Sequence, residues 1–112
     1  MVSKGQIDSY MINYNGGVKT NLSYRVTINL YGPNHKYIGT VYFSPPKYDE
    51  PAGSDSISSG GYVRMFYAMD DYLRILDLLR NEKPLYLYYL ENVKAGRIST
   101  SFEEIGEEET EP

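Results

Sequence analysis

The sequence contains no cysteine and no tryptophan, and its only histidine is His35. Without thiols the chain cannot form disulfides, use a cysteine nucleophile or build a cysteine-ligated metal site. A single histidine also excludes a cluster of histidine ligands. We therefore expect neither a bound metal nor a cofactor.

Long hydrophobic runs are also missing. The longest apolar segment, Leu85 to Leu90, is far shorter than the roughly 20 residues that a membrane helix needs. Residues 1–6 lack the apolar stretch of a secretory signal. Together with the absence of cysteine, these features predict a cytoplasmic protein that does not engage a membrane.

Tyrosine is the residue present in excess, with 13 copies against three of phenylalanine. Its ring is apolar, but its hydroxyl must find water or a hydrogen-bond partner, which suits half-buried sheet surfaces and interfaces. The chain has 112 residues and therefore room for one hydrophobic core. The composition predicts one small, tyrosine-rich globular domain.

Charge is distributed unevenly along the chain. The net charge is −4, but six of the 15 acidic residues are glutamates within 103–112. Residues 1–102 hold the other 9 acidic residues and all 11 basic ones, a net charge of +2. We predict that 1–102 form a single α+β domain and that 103–112 are an acidic, disordered tail.

Alternation of polar and apolar residues predicts strands, because successive strand side chains point to opposite faces. The clearest case is 22–31, where Val26, Ile28 and Leu30 are apolar and the residues between them are polar. A turn at 32–36 separates this strand from the next. The predicted strands are 7–14, 22–31, 37–43, 62–67, 85–90 and 96–100.

A helix is predicted between the fourth and fifth of these strands. Its apolar stripe consists of Tyr72, Ile75, Leu76 and Leu79, which recur at helical spacing. Asp70 and Asp71 suit the start of the helix, where a carboxylate caps backbone N–H groups. Asn81 is expected to cap the C-terminus of the helix, and Pro84 prevents continuation.

This order of elements predicts an α+β fold. Short connections favour a single twisted antiparallel sheet of five to six strands (β-β-β-β-α-β-β) with one helix packed on one face. The uncharged segment 85–90 is expected to be an interior strand or a dimer edge, with Leu87 beneath the helix stripe. Residues 44–61 are expected to form a loop that is either functional or a mobile connector.

The sequence offers little for catalysis. It has no phosphate-binding glycine loop, no nucleophile elbow and no zinc-protease motif. His35 lies in a predicted turn beside Pro33 and Asn34, where an exposed polar residue is expected. Asp70 and Asp71 are explained by the helix start. We therefore predict that the protein is not an enzyme.

Binding is the function that the sequence favours. The polar face of the predicted sheet combines arginine with aromatic residues, a composition found at the centres of protein interfaces. One helix is also too little to cover both faces of such a sheet. The expected binding residues on the polar face are Arg25, Tyr31, Tyr42, Tyr62, Arg64 and Phe66.

Three kinds of partner are compatible with this face. A protein partner, or a second copy of the chain in a homodimer, is the first prediction. Single-stranded nucleic acid is the alternative, because aromatic rings interleaved with arginine make a stacking platform. In that case the acidic tail would compete for the basic surface. The third is a small molecule on the sheet, roofed by the 44–61 loop.

Overall fold

The structure is a computed structural model that describes residues 2–15, 25–43 and 54–100, with side chains from residue 5 onward. Three sequence-based predictions lie outside the described residues. They are the acidic tail at 103–112, residues 22–24 of the predicted strand 22–31, and residues 44–53 of the predicted loop.

The described chain contains eight strands and one α-helix. The strands are β1 (Val2–Ile7), β2 (Ser9–Tyr14), β3 (Val26–Tyr31), β4 (Tyr37–Phe43), β5 (Ser56–Ile57), β6 (Val63–Tyr67), β7 (Leu85–Leu90) and β8 (Ala95–Thr100). The helix is α1 (Tyr72–Asn81), and 3-10 turns lie at Pro33–His35 and Met69–Asp71. The predicted α+β class is confirmed, and no described helix is long and apolar enough to cross a membrane.

The strands form two sheets, so the prediction of a single antiparallel sheet is wrong. The larger sheet has the order β2-β3-β4-β6-β5, and the smaller has the order β1-β7-β8. In addition, β4 and β6 run parallel. Parallel neighbours need a crossover of a dozen or more residues, and residues 44–62 between these strands supply one. The prediction made every neighbouring pair antiparallel, although it placed a long loop at 44–61, and therefore missed this pair.

The first predicted strand, 7–14, is divided at Asp8 between the two sheets. Before Asp8, β1 pairs with β7, so that Ile7 lies opposite Leu85. After Asp8, β2 pairs with β3. The Asp8 N–H donates to the Tyr31 carbonyl at 2.7 Å. This bond fixes the residue at which the chain passes from the smaller sheet to the larger one. The sequence did not indicate β1, because Lys4, Gly5 and Gln6 carry no apolar alternation.

The hydrophobic core lies on one face of the larger sheet. Its fully buried residues include Val26, Ile28, Leu30, Val41 and Phe43. From the opposite side, α1 contributes Ile75 and Leu79, and the smaller sheet contributes Leu85, Leu87 and Tyr89. The helix and the smaller sheet therefore cover the same face of the larger sheet.

Gly39 in β4 lets the two sheets approach each other. A methyl group at Gly39 would lie 2.6 Å from the Val63 carbonyl oxygen and 2.9 Å from Leu87 Cδ2. Leu87 is 2% exposed, so its expected burial is met. Its close neighbour is Gly39 of the larger sheet, whereas the sequence placed it beneath the helix stripe.

The helix begins without the predicted side-chain cap. Asp71 occupies the N-cap position, but its carboxylate accepts no capping hydrogen bond and lies 3.6 Å from the Arg74 guanidinium instead. At the other end, Asn81 is the last helical residue and donates to the Asp77 carboxylate at 2.6 Å. Extended backbone at Glu82 ends the helix before Pro84.

Candidate functional site

The face of the larger sheet that points away from α1 and the smaller sheet carries most of the predicted binding residues. We call it the outer face. Strand register aligns its side chains in two rows. The first row is Asn13, Thr27, Tyr42 and Phe66, and the second is Met11, Asn29, Thr40, Arg64 and Ser56. Rows of this kind bring neighbours on adjacent strands within contact distance.

Hydrogen bonds hold the polar side chains of the outer face in place. Thr40 is the central residue and is only 4% exposed. Its hydroxyl donates to the Asn29 carboxamide oxygen at 3.0 Å and also bonds to the Tyr37 hydroxyl. The Asn13 amide donates to the Thr27 hydroxyl at 3.4 Å. The centre of the face is thus a fixed polar network, as buried polar groups require.

Aromatic rings flank this network on two sides. Tyr42 and Phe66 are stacked, with ring centroids 4.8 Å apart and planes 13° from parallel. The ring centroid of Tyr37 lies 4.9 Å from that of Tyr62 and 6.0 Å from that of Tyr31. Four of the six predicted residues therefore take part in ring contacts on this face, and the centroid distances fit favourable aromatic pairs.

The two predicted arginines differ in their surroundings. Arg64 is exposed on β6, directly opposite Thr40 and two residues before Phe66. Arg25 lies just before β3, where its guanidinium donates to the Asn15 carbonyl at 3.1 Å. Arg25 is thus held at the end of the sheet, and Arg64 is the cation beside the aromatic pair.

The sequence missed two contributors to the outer face. Strict alternation along 37–43 would set Tyr37 on the side of Val41 and Phe43, but the β3–β4 register shifts so that Tyr31 pairs with Tyr37 and Ile38 is skipped. This bulge turns Tyr37 outward, and no sequence pattern marks it. Met11, which is 51% exposed, was missed because the pairing partner of β2 was unknown.

A groove opens beside Tyr62, which is 41% exposed. Its volume is about 320 Å³. The lining residues include Lys36, Tyr37, Gly60, Gly61, Tyr62 and Leu87. Lys36 of its lining follows the turn with left-handed backbone at Asn34 and His35, and Gly61, at φ 87°, belongs to a second turn. The groove is continuous with the outer face through Tyr37 and Tyr62.

Directly before β5, the Asp55 carboxylate holds the backbone of β6. Its Oδ1 accepts from the Phe66 N–H and its Oδ2 accepts from the Gly96 N–H, both at 2.8 Å. Burial of the neighbouring Tyr67, followed by the negative charges of Asp55 and Asp71, raises the pKa of the Tyr67 phenol to about 12. Asp55 therefore positions β6 and β8 relative to each other, and both of its carboxylate oxygens accept backbone hydrogen bonds.

Residues 2–15, 25–43 and 54–100 contain no group of three or more acidic, histidine or cysteine side chains that could hold a metal ion. His35 is exposed in its turn, with φ 59°. Comparison with protein-family models, with characterised proteins and with solved structures gives no match to this chain.

Proposed function

We propose that this protein is a non-enzymatic binding module that engages a protein partner, or a second copy of itself, through the outer face. One observation carries the proposal. Within the described chain, α1 and the smaller sheet both pack on the opposite face, and no helix or strand covers the outer one. A sheet face left uncovered in this way is a candidate interaction surface.

The composition of the outer face supports a protein partner. Arginine and tyrosine dominate the energetics of protein interfaces. Here Arg64, Tyr62 and Met11 are exposed around a polar centre that the Thr40 network already fixes. A surface that is ordered before binding loses less side-chain entropy when a partner docks. The outer face thus combines exposed anchor residues with a rigid support.

Single-stranded nucleic acid is the second candidate, with the acidic tail as a competing anion. Arg64 beside the stacked Tyr42 and Phe66 rings favours it, because rings and cations together bind bases and phosphates. However, strong phosphate binding uses several cations. The predicted residues supply two arginines, and Arg25 donates to the Asn15 carbonyl. A protein partner is therefore the stronger proposal.

The test compares two charge reversals on different sheets. Arg64→Glu changes the outer face, and Arg97→Glu changes an exposed arginine of β8. A partner is first captured by cross-linking from lysate, with and without nuclease, and is then purified for calorimetry with each variant. We expect Arg64→Glu to weaken binding about tenfold or more, and Arg97→Glu to leave it within about twofold.

Equal losses for the two reversals would overturn the outer face as the binding surface. Loss of capture after nuclease treatment would favour nucleic acid instead. That alternative is measured directly by the fluorescence anisotropy of a labelled single-stranded oligonucleotide at low salt. Nucleic-acid binding that Arg64→Glu abolishes, and that weakens steeply with salt, would replace the protein partner by the second candidate.

A further inference from the structure

An edge strand presents unpaired backbone N–H and C=O groups, and native proteins protect such edges. In the described sheets, three of the four edges carry at least one protection of this kind. β5 has only two residues, and the Gly96 N–H on β8 is bound by Asp55. β1 lies against the turn at Gly32, where a methyl group would stand 3.2 Å from the Gln6 carbonyl oxygen.

Within residues 2–15, 25–43 and 54–100, nothing gives β2 a protection of this kind. Its six residues, Ser-Tyr-Met-Ile-Asn-Tyr, include no charge, no proline and no glycine. It pairs with β3 in one unbroken register, without a bulge. Within the described chain, β3 is its only strand neighbour. A regular, uncharged edge of this kind is a template for pairing with another strand.

From this edge we infer that two copies of the chain associate by antiparallel pairing of β2 with β2, which joins two larger sheets into one continuous sheet. The inference does not rest on the proposed function, because the contact is made at the sheet edge and both outer faces stay accessible. The second copy is the occupant that the hydrogen-bond pattern and the side chains of β2 fit.

The hydrogen-bond pattern defines which groups are available. The Asn15 N–H donates to the Arg25 carbonyl at 2.8 Å, while the Arg25 N–H donates to the Phe43 carbonyl. Asn15 thus marks a position at which this edge bonds to the β3 side, and such positions alternate along an antiparallel ladder. The N–H and C=O groups of Tyr10, Ile12 and Tyr14 therefore point away from β3. These are the groups that a second strand would pair with.

A two-fold axis at Ile12 satisfies all of these groups at once. Ile12 then faces Ile12 of the second copy, and Tyr10 faces Tyr14. Each of these pairs exchanges two hydrogen bonds. An axis at Met11 would instead set Tyr14 opposite Asp8, whose N–H is already donated to the Tyr31 carbonyl. Ile12 is therefore the preferred centre.

The side chains agree with the same register. Tyr10 and Ile12 pack against the edge of the core, and Tyr14 is 61% exposed beside Tyr72 of the helix. Pairing Tyr10 with Tyr14 of the second copy would extend the core with aromatic pairs, which stabilise antiparallel strands. No charged residue lies within β2, so like charges do not meet at the axis.

The absence of cysteine makes a register-specific test possible. In the proposed dimer, Met11 faces Asn13 of the second copy as a pair without ladder bonds, with Cα atoms about 4.5 Å apart. That distance allows a disulfide. A mixture of Met11→Cys and Asn13→Cys proteins should form a disulfide-linked dimer under mild oxidation. Either variant alone should cross-link far more slowly, because the two copies of the same cysteine would lie diagonally across the strand pair and farther apart than directly opposed residues.

Sedimentation of the full chain over about a hundredfold concentration range tests the association itself, and weak edge pairing predicts a reversible dimer. Met11→Lys/Asn13→Lys should be monomeric, and mixing it with Met11→Glu/Asn13→Glu should restore a dimer. Arg64→Glu should leave the dimer intact, although it impairs the proposed partner site. A monomeric wild-type chain, or faster cross-linking of either cysteine variant alone, would overturn the inference.

Discussion

The Asp55 carboxylate bridges the two sheets through the Gly96 N–H, which it binds at 2.8 Å across 41 residues of sequence. Its other oxygen accepts from the Phe66 N–H of β6. The two carboxylate oxygens thereby accept hydrogen bonds from one backbone N–H of β6 and one of β8, as the carbonyls of a neighbouring strand would. Bonds to an ionised acceptor are the stronger class of hydrogen bond, so Asp55 is a fixed link between the layers.

Asp55→Ala should destabilise the fold. It leaves the Phe66 and Gly96 N–H groups without an acceptor, at a cost of about 1–3 kcal/mol for each group that water does not reach. Asp55→Asn keeps one good acceptor and should cost less. The measurement is the free energy of unfolding in urea.

Asp8→Ala provides the matched control for Asp55→Ala, because Asp8 is an exposed aspartate between two strands. We expect its stability to stay within about 0.5 kcal/mol of wild type, as for most surface substitutions. Equal unfolding free energies for the Asp55→Ala and Asp8→Ala proteins would show that the bridge does not stabilise the packing of the sheets.

Gly39→Ala should be among the most damaging single changes to the chain. The added methyl group would lie 2.6 Å from the Val63 carbonyl oxygen, which belongs to the parallel partner strand and cannot move without separating β4 from β6. Overpacking of this kind costs about 1–3 kcal/mol or more. Urea unfolding measures the loss.

Gly5→Ala is the matched glycine control. A methyl group there would meet only Ile38 Cδ1 at 3.7 Å and Cγ2 at 3.9 Å, which is ordinary van der Waals contact. Its stability should equal or slightly exceed that of wild type, since alanine loses less backbone entropy than glycine on folding. A Gly39→Ala protein as stable as the Gly5→Ala protein would contradict the close packing of Val63 and Leu87 around Gly39.

Local pattern predicted the interior strands well. The bounds of β4 and β7 agree with the predicted 37–43 and 85–90, and the buried residues of β3 follow the predicted alternation. In these segments each local preference agrees with the final packing. The pattern failed for β1, whose pairing with β7 depends on contacts distant in sequence.

The candidate site was predicted in composition but not in layout. Alternation alone placed Arg64 and Phe66 on one face of β6 and Tyr42 on the matching face of β4. The row that stacks Tyr42 on Phe66 depends on the parallel β4–β6 register, which no local signal encodes. The bulge that turns Tyr37 outward is likewise a property of two paired strands.

Leu87→Ala should cost about 2–5 kcal/mol, the range for a buried leucine whose removal leaves a cavity. Leu87 is 2% exposed and reaches Gly39 on the larger sheet. The matched change is Leu73→Ala, because Leu73 lies on α1 and is 72% exposed. Urea unfolding of both variants should show a large loss for Leu87→Ala only. Similar losses would place Leu87 outside the core.

Tyr67 should make the stability of the protein sensitive to alkaline pH. Burial, then the charges of Asp55 and Asp71, raises the pKa of its phenol from 10.0 to about 12. The unfolded chain therefore releases this proton at lower pH than the folded protein. The contribution of Tyr67 to stability is fully present below about pH 10 and is lost as the pH rises through about 12.

Two measurements check this expectation for Tyr67. In an ultraviolet titration of phenolate, subtracting the Tyr67→Phe curve from that of wild type should leave one group with a midpoint near 12. Tyr88→Phe, a change on the outward face of β7, should retain that late component. Asp71→Asn should shift it to lower pH, because one of the raising charges is removed. Urea midpoints should fall more steeply between about pH 10 and 12 for wild type than for Tyr67→Phe. Identical pH profiles for these two proteins would show that Tyr67 is not held in its neutral form by the fold.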